Sequence, residues 1–268
     1  EKPFFIWYAP FLPHTPHNPP ERLFSKYRRE GLAPTVARYY AMCDWFDETC
    51  GELLGGLDSK GLSKDTLVIY VTDNGWIQSP GGNGYEIRSK RSAYEGGTRT
   101  PIMFRWPDVI PAGQRPELCT SLDIAPTILA AAGAEDPHEF PGLNLLPALK
   151  EKKAIERDVI FGESYAHDIA DIMDPEASLM FRWVIEGNMK LLLTYDGRQG
   201  KMKYRPQDFR PQLFDLIKDP HEKVNLASKM PEKVASMAAL IDDWHPLKER
   251  KTVTEWSDQP VVLKPVED

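Results

Sequence analysis

The chain has 268 residues, 41% hydrophobic and 27% charged, which suits one large globular domain or a core with a satellite. A net charge of −7 argues against a general binder of nucleic acid or anionic membrane. No apolar run approaches the roughly 18 residues that a membrane-spanning helix needs.

The opening segment EKPFFIWYAP lacks the basic start, long apolar core and small-residue cleavage site of a signal peptide. It is expected to enter a strand at Phe4, as if from the middle of a domain, with any signal lying upstream. Pro10, Pro13, Pro16, Pro19 and Pro20 then enforce a loop. Val36, Tyr40, Cys43, Cys50, Leu54 and Leu57 recur at helical spacing and predict a helix from about Thr35 to Leu57, ended by Gly55, Gly56 and Gly61. Asp44, Asp47 and Glu48 read as its solvated face. Cys43 and Cys50 share a face of this helix but stand roughly 10 Å apart along it, too far for a disulfide. With Cys119, they are expected to be buried small hydrophobes.

The run LVIYVTDNGW predicts a buried strand over Leu67–Val71, followed either by an Asp-Asn-Gly turn or by a pair of oxygen ligands. Residues 77–89 are glycine-rich and polar and read as either an active-site-type loop or a disordered one. TPIMFRWP predicts a strand, and DIAPTILAAAG a helix closed by Gly133. This alternation implies an α/β fold with a mainly parallel sheet flanked by helices. AIERDVIFGESY reads as a further core strand. After Pro175 the texture changes to strand and turn, with hairpin signals at Gly187-Asn188 and Asp196-Gly197. An amphipathic helix is expected from Pro231, and the tail SDQPVVLKPVED reads as an extended arm. The expected division is an α/β core over residues 1–170, then a small subdomain over 171–268 with an antiparallel sheet and one helix.

Ligands of open α/β sheets bind beyond the carboxyl ends of strands. Three groups follow predicted strands or lie in the loops between them: His14 with His17, Asp73-Asn74, and Lys90-Arg91. Asp and Asn offer oxygens to a hard cation. A lysine and a histidine beside them suit a tetrahedral anion, which points to phosphate or sulfate ester chemistry. Singly, each has a plainer reading: a surface histidine, a turn, a solvated cation. EGGTR can be a Gly-Gly turn with Glu95 or Arg99 in a structural ion pair. His167, Asp168 and Asp171 either line a pocket or sit on a surface loop.

The segments APFLPHTPHNPP, LVIYVTDNGW, KRSAYEGGTRTPIMFRWP, SLDIAPTILAAAG and QLFDLIKDPHEKVNLA resemble, in order, the C-terminal part of a type I sulfatase of the alkaline-phosphatase superfamily. The resemblance implies that Asp73 and Asn74 are ligands of calcium or another divalent metal. It implies that Lys90 binds the sulfate oxygens and that His14 assists the leaving oxygen. Arg91 and His17, each adjacent to a better match, are expected to face solvent.

Such enzymes use a formylglycine made from Cys or Ser in a Cys/Ser-x-Pro-x-Arg element. None of Cys43, Cys50 and Cys119 stands in one, and no serine does. The family's upstream Asp-Asp pair and Gly-Lys-Trp-His element are also absent. The chain is therefore expected to be inactive alone and to need an N-terminal part of the same enzyme as partner. The substrate would be a sulfated small molecule or glycan, and the family implies a periplasmic, secreted or lysosomal location. The alternatives are a phosphomonoester or phosphonate hydrolase of the same superfamily, and a non-catalytic binding or assembly subunit.

Overall fold

In the computed structural model the chain forms two compact units, Glu1–Thr66 with Trp76–Glu86, and Leu67–Gly75 with Ile87–Asp268. The structure describes residues 2–29, 31–82, 84–134, 139–151, 153–167, 171, 173–195 and 210–247, and the backbone of 204–206 and 263–265.

The first unit carries α1 (Glu21–Tyr27) and α2 (Pro34–Ser59). Helix α1 buries only Leu23, so no helical period announces it. Helix α2 starts with proline at its first position, where the missing N–H costs nothing. It runs through Gly55 and Gly56, which the sequence reading made its end. Two mid-helix glycines weaken a helix by about 1 kcal/mol each without breaking it. The stop is at Gly61, whose φ of +68° closes a Schellman motif: Leu62 N–H bonds Leu57 O at 2.9 Å and Gly61 N–H bonds Asp58 O at 3.0 Å. Two of the three acids read as the solvated face of α2 are paired. Arg22 of α1 grips Glu48 with two bonds of 2.5 and 2.6 Å, and Lys26 reaches Asp44 at 3.0 Å.

The strand expected at Phe4 does not form. Residues 4–8 lie outside regular structure, with Phe5 73% and Trp7 84% exposed. Their β-forming side chains are insufficient alone, because a strand needs a neighbour for its N–H and C=O groups, and the described residues of this unit supply none. All three cysteines are free and half-buried, and burial pushes the Cys43 thiol up.

The second unit starts with β1 (Val68–Val71), then α3 (Glu95–Thr98) and β2 (Ile102–Arg105). Next come α4 (Ile124–Ala132), α5 (Leu146–Glu151) and β3 (Val159–Tyr165). The remainder is β4 (Leu179–Glu186), β5 (Met189–Thr194), β6 (Tyr204–Pro206), β7 (Gln212–Asp215), α6 (Pro231–Trp244) and β8 (Leu263–Pro265). The sheets are β1-β2, β3-β4-β5-β7 and β6-β8.

The α/β class and the C-terminal antiparallel sheet with its helix are as expected, but β3, read as a strand of the preceding core, is an outer strand of that antiparallel sheet, paired with β4. The pairing of the first part departs from a mainly parallel sheet: β1 pairs antiparallel with β2, Val68 opposite Arg105 and Val71 opposite Ile102. An apolar run such as LVIYV does not fix its neighbour's direction, and the expected burial is only partial: Val68 to Tyr70 are half-buried and Val71 is 40% exposed. The Gly187-Asn188 turn joins β4 to β5 as read, with Gly187 at φ +59°. Asp196-Gly197 lies outside the described residues. So does the tail expected as an extended arm, apart from β8, which pairs with β6.

The four-stranded sheet is buried on both sides. Leu179, Val184, Leu191, Leu193 and Leu213 meet Val234, Met237 and Ile241 of α6. Met180, Phe181, Leu192 and Phe214 meet Ala93 and Tyr94 on the other side. Burying such a side chain stabilises by roughly 1.5–3 kcal/mol. The segment just before α3 is thereby locked to this sheet.

Helix α4 is held by a buried carboxylate. Asp123 receives two bonds from Arg157 at 2.6 and 2.7 Å, and accepts the N–H groups of Thr120 and Leu143 at 2.8 Å each. Burial opposes ionisation of Asp123, but the Arg157 bonds and the two backbone N–H groups prevail and hold its carboxyl below the usual range. Gly133, at φ +64°, ends α4 where the sequence places it.

Candidate active site

Strand β1 delivers Asp73, Asn74 and Gly75 to its carboxyl end. Asp73 Oδ1 accepts the Asn74 N–H at 2.9 Å, and Asn74 Nδ2 donates to Gly75 O at 3.0 Å. Gly75 N–H donates to Gly97 O of α3 at 2.9 Å. A Cβ on Gly75 would stand 2.2 Å from Gly96 O, so glycine is required for this approach.

The other side of α3 is as tightly engaged. A Cβ on Gly97 would stand 2.2 Å from Ser89 O and 2.6 Å from Ser92 O. Ser89 and Ser92 are buried ends of a turn closed by Ser92 N–H to Ser89 O at 3.1 Å. Lys90 and Arg91 are its two corner residues. The Asp73-Asn74 turn and the Lys90-Arg91 turn thus pack, backbone to backbone, on one four-residue Gly-Gly helix.

A buried ion cluster anchors that helix. Lys190 of β5 is fully buried; its Nζ lies 2.9 Å from Glu95 Oε1 and 3.0 Å from Glu222 Oε1. Glu222 Oε2 accepts the Glu95 N–H at 2.6 Å, at the start of α3. Burial pushes the Glu222 carboxyl up, against the pull of Lys190. Glu95 is therefore in a structural ion pair, the plainer of its two readings. Lys190 and Glu222 were not singled out from the sequence. A lysine inside the apolar strand NMKLLLT was the available signal, since lysine is almost never fully buried unless paired.

His14 lies in the first unit. It is exposed; its Nδ1 is 2.9 Å from Thr15 O, and its ring is 5.0 Å from Phe11 and 6.5 Å from Trp76. His17 is not turned to solvent: its ring sits 5.5 Å from Tyr39 and 6.0 Å from Trp76. Burial, then the charge of His14, lowers its pKa. Arg91 is exposed, in a left-handed backbone with φ +64°. His167 is exposed, and Asp168 lies outside the described residues.

The donor chemistry of Asp73 and Asn74 fits a hard cation, which takes 6–8 oxygens. They are part of a shell only, for no group of three or more His, Cys, Asp or Glu residues that could hold a metal occurs among the described residues.

Solved structures place this architecture in a class. A sulfatase from the glycosaminoglycan-metabolising locus of Bacteroides thetaiotaomicron aligns with TM-score 0.67 and 25% identity, covering 84% of this chain and 50% of that one. A phosphonate monoester hydrolase from Silicibacter pomeroyi aligns with TM-score 0.59 and 23% identity, covering 78% and 40%. The fold is therefore that of the sulfatase-like ester hydrolases. The sulfatase family matches residues 1–134, and the C-terminal family of N-sulphoglucosamine sulphohydrolase matches residues 84–245. The chain belongs to the sulfatase family.

Among curated relatives, arylsulfatase K of Xenopus laevis is 29% identical over 81% of this chain, and human arylsulfatase A is 30% identical over 90%. An N-acetylgalactosamine-6-O-sulfatase of Bacteroides thetaiotaomicron is 27% identical over 90%. The chain spans 40%, 48% and 47% of their respective lengths.

Proposed function

We propose that the protein hydrolyses sulfate esters of carbohydrates. The observation that carries this is the packing of the Asp73-Asn74 and Lys90-Arg91 turns on the Gly96-Gly97 helix, in a chain of the sulfatase family. Asp73 and Asn74 would supply oxygens to a calcium ion, which when bound acts as a Lewis acid toward the ester. Lys90 would neutralise charge on the sulfate oxygens, and His14 would give a proton to the departing oxygen. The carbohydrate assignment is supported by relatives named for sugar sulfates.

The nucleophile would come from outside these 268 residues, since no cysteine or serine here stands in a formylglycine element. An N-terminal part of the same enzyme, in an extracytoplasmic compartment, would provide it with the remaining metal ligands. No helix among the described residues is long and apolar enough to cross a membrane. The phosphonate hydrolase shares the fold only, and nothing in the site favours phosphorus over sulfur.

The test uses the protein expressed from its full gene. Hydrolysis of 4-nitrophenyl sulfate should exceed that of 4-nitrophenyl phosphate, and Asp73→Ala should weaken calcium binding measured by titration. Faster phosphate hydrolysis would reject the sulfatase reading, and unchanged calcium affinity would reject the ligand assignment.

A further inference from the structure

Two backbone irregularities in the second unit flank one cavity. The first is Arg91, a non-glycine residue at φ +64° in the third position of the Ser89–Ser92 turn. Glycine normally fills that position when φ is positive, because a Cβ there is strained. The second is a register shift in β3 between Ser164 and Tyr165, which leaves Tyr165 opposite Leu179. It is pinned by Ala166 N–H to Ser178 O at 2.7 Å. Such bulges re-aim side chains and gather beside functional sites. Strained residues retained at a cavity wall likewise point to function.

The cavity between them has a volume of about 100 Å³ and is lined by Arg91, Ser164, Tyr165, His167, Met180 and Phe181. Each wall has an evident part. Met180 and Phe181 are buried. The Tyr165 hydroxyl donates to Glu163 Oε2 at 2.7 Å. Arg91 and His167 are exposed, and among the described residues Arg91 has no hydrogen-bond or ion-pair partner. The space is well above the ~10–15 Å³ that one water needs and well below the roughly 300 Å³ of a small ligand pocket. It suits a substituent, not a whole sugar.

We infer that this cavity is a second anion subsite, in which Arg91 and His167 receive a sulfate or carboxylate substituent of the substrate. A planar guanidinium binds either group through two parallel bonds, here beside the apolar side chains of Met180 and Phe181. Lys90 and Arg91 are adjacent corners of one turn, so a substrate that engages both would carry two anions. The inference rests on the proposed sulfatase reading for the first anion but not for the second. It gives the substrate class as a sulfated sugar with a further negative charge.

The experiment compares the protein expressed from its full gene with its Arg91→Gly variant, which relieves the backbone strain and is expected to melt no lower than the parent. The ligands are glucosamine 6-sulfate, its 2-N,6-O-disulfate, and a monosulfated uronic acid, which offers a carboxylate instead. Both the ratio of kcat/KM values and the ratio of affinities by calorimetric titration are measured. The wild type should prefer the doubly anionic ligands, and Arg91→Gly should cut that preference by about 10- to 100-fold. The disulfate and uronic acid arms tell a sulfate subsite from a carboxylate one. An Arg91-dependent binding preference without hydrolysis would keep the subsite and reject the sulfatase reading. A wild type with no preference, or a preference unchanged by Arg91→Gly, would overturn the subsite.

Discussion

Replacing Lys190 by methionine tests how far the candidate site depends on charge buried behind it. Lys190 is fully buried between Glu95 and Glu222, themselves 8% and 1% exposed. Methionine keeps the apolar stem and removes the ammonium, leaving two carboxylates facing each other. Removing one partner of a buried pair costs about 3–5 kcal/mol, because the remaining charge is uncompensated. For a domain of this size 1 kcal/mol moves the melting temperature by about 2–4 °C, so the loss at pH 7.5 should be on the order of 10 °C. Its pH dependence has a definite sign. Burial already raises the Glu222 carboxyl, and without Lys190 it rises further. A group with a raised folded pKa favours the folded state at low pH, and that stability disappears as pH climbs through the folded pKa. The deficit of Lys190→Met should therefore be smaller at pH 5 than at pH 7.5. Because Glu222 holds the first N–H of α3, and α3 holds Gly75, calcium affinity should fall as well, and Lys190→Arg should restore part of it. Thermal unfolding at the two pH values and calcium titration decide the matter. A loss under about 2 °C at pH 7.5, or a larger deficit at pH 5, would refute the reasoning.

Asp123→Asn should destabilise by about 3 kcal/mol at pH 7, since Arg157 loses its counter-charge; the depressed Asp123 carboxyl means that the gap closes as pH falls below about 4, which acid unfolding curves would show. Gly97→Ala places a methyl against Ser89 O and Ser92 O, so it should cost about 1–3 kcal/mol by denaturant titration and loosen the Lys90 turn. The 268-residue chain alone should show no turnover of 4-nitrophenyl sulfate above background, because positioned cations without a nucleophile give little acceleration. Clear metal-dependent turnover would send the search for the nucleophile to Thr72, Ser89 and Ser92.

The sequence by itself determined what local chemistry controls. Proline can open a helix, which fixed the start of α6 at Pro231. Glycine alone takes a left-handed backbone cheaply, which fixed the end of α4 at Gly133 and the β4–β5 turn at Gly187. An apolar run ending in TDNG was enough to place Asp73 and Asn74 just past a strand.

Only the tertiary structure decided the rest. Phe4 to Tyr8 have every propensity for a strand and form none here, because pairing depends on a partner and not on the segment. The glycines of EGGT read as an ordinary turn, yet Gly97 is needed because two serine carbonyls from another turn occupy the place of its side chain. Arg91, read as a solvated neighbour of Lys90, acquires meaning from a bulge more than 70 residues away in sequence. Lys190 and Glu222 join Glu95 across the unit by burial, which brings charges together from distant positions and makes their interaction strong where water would have screened it.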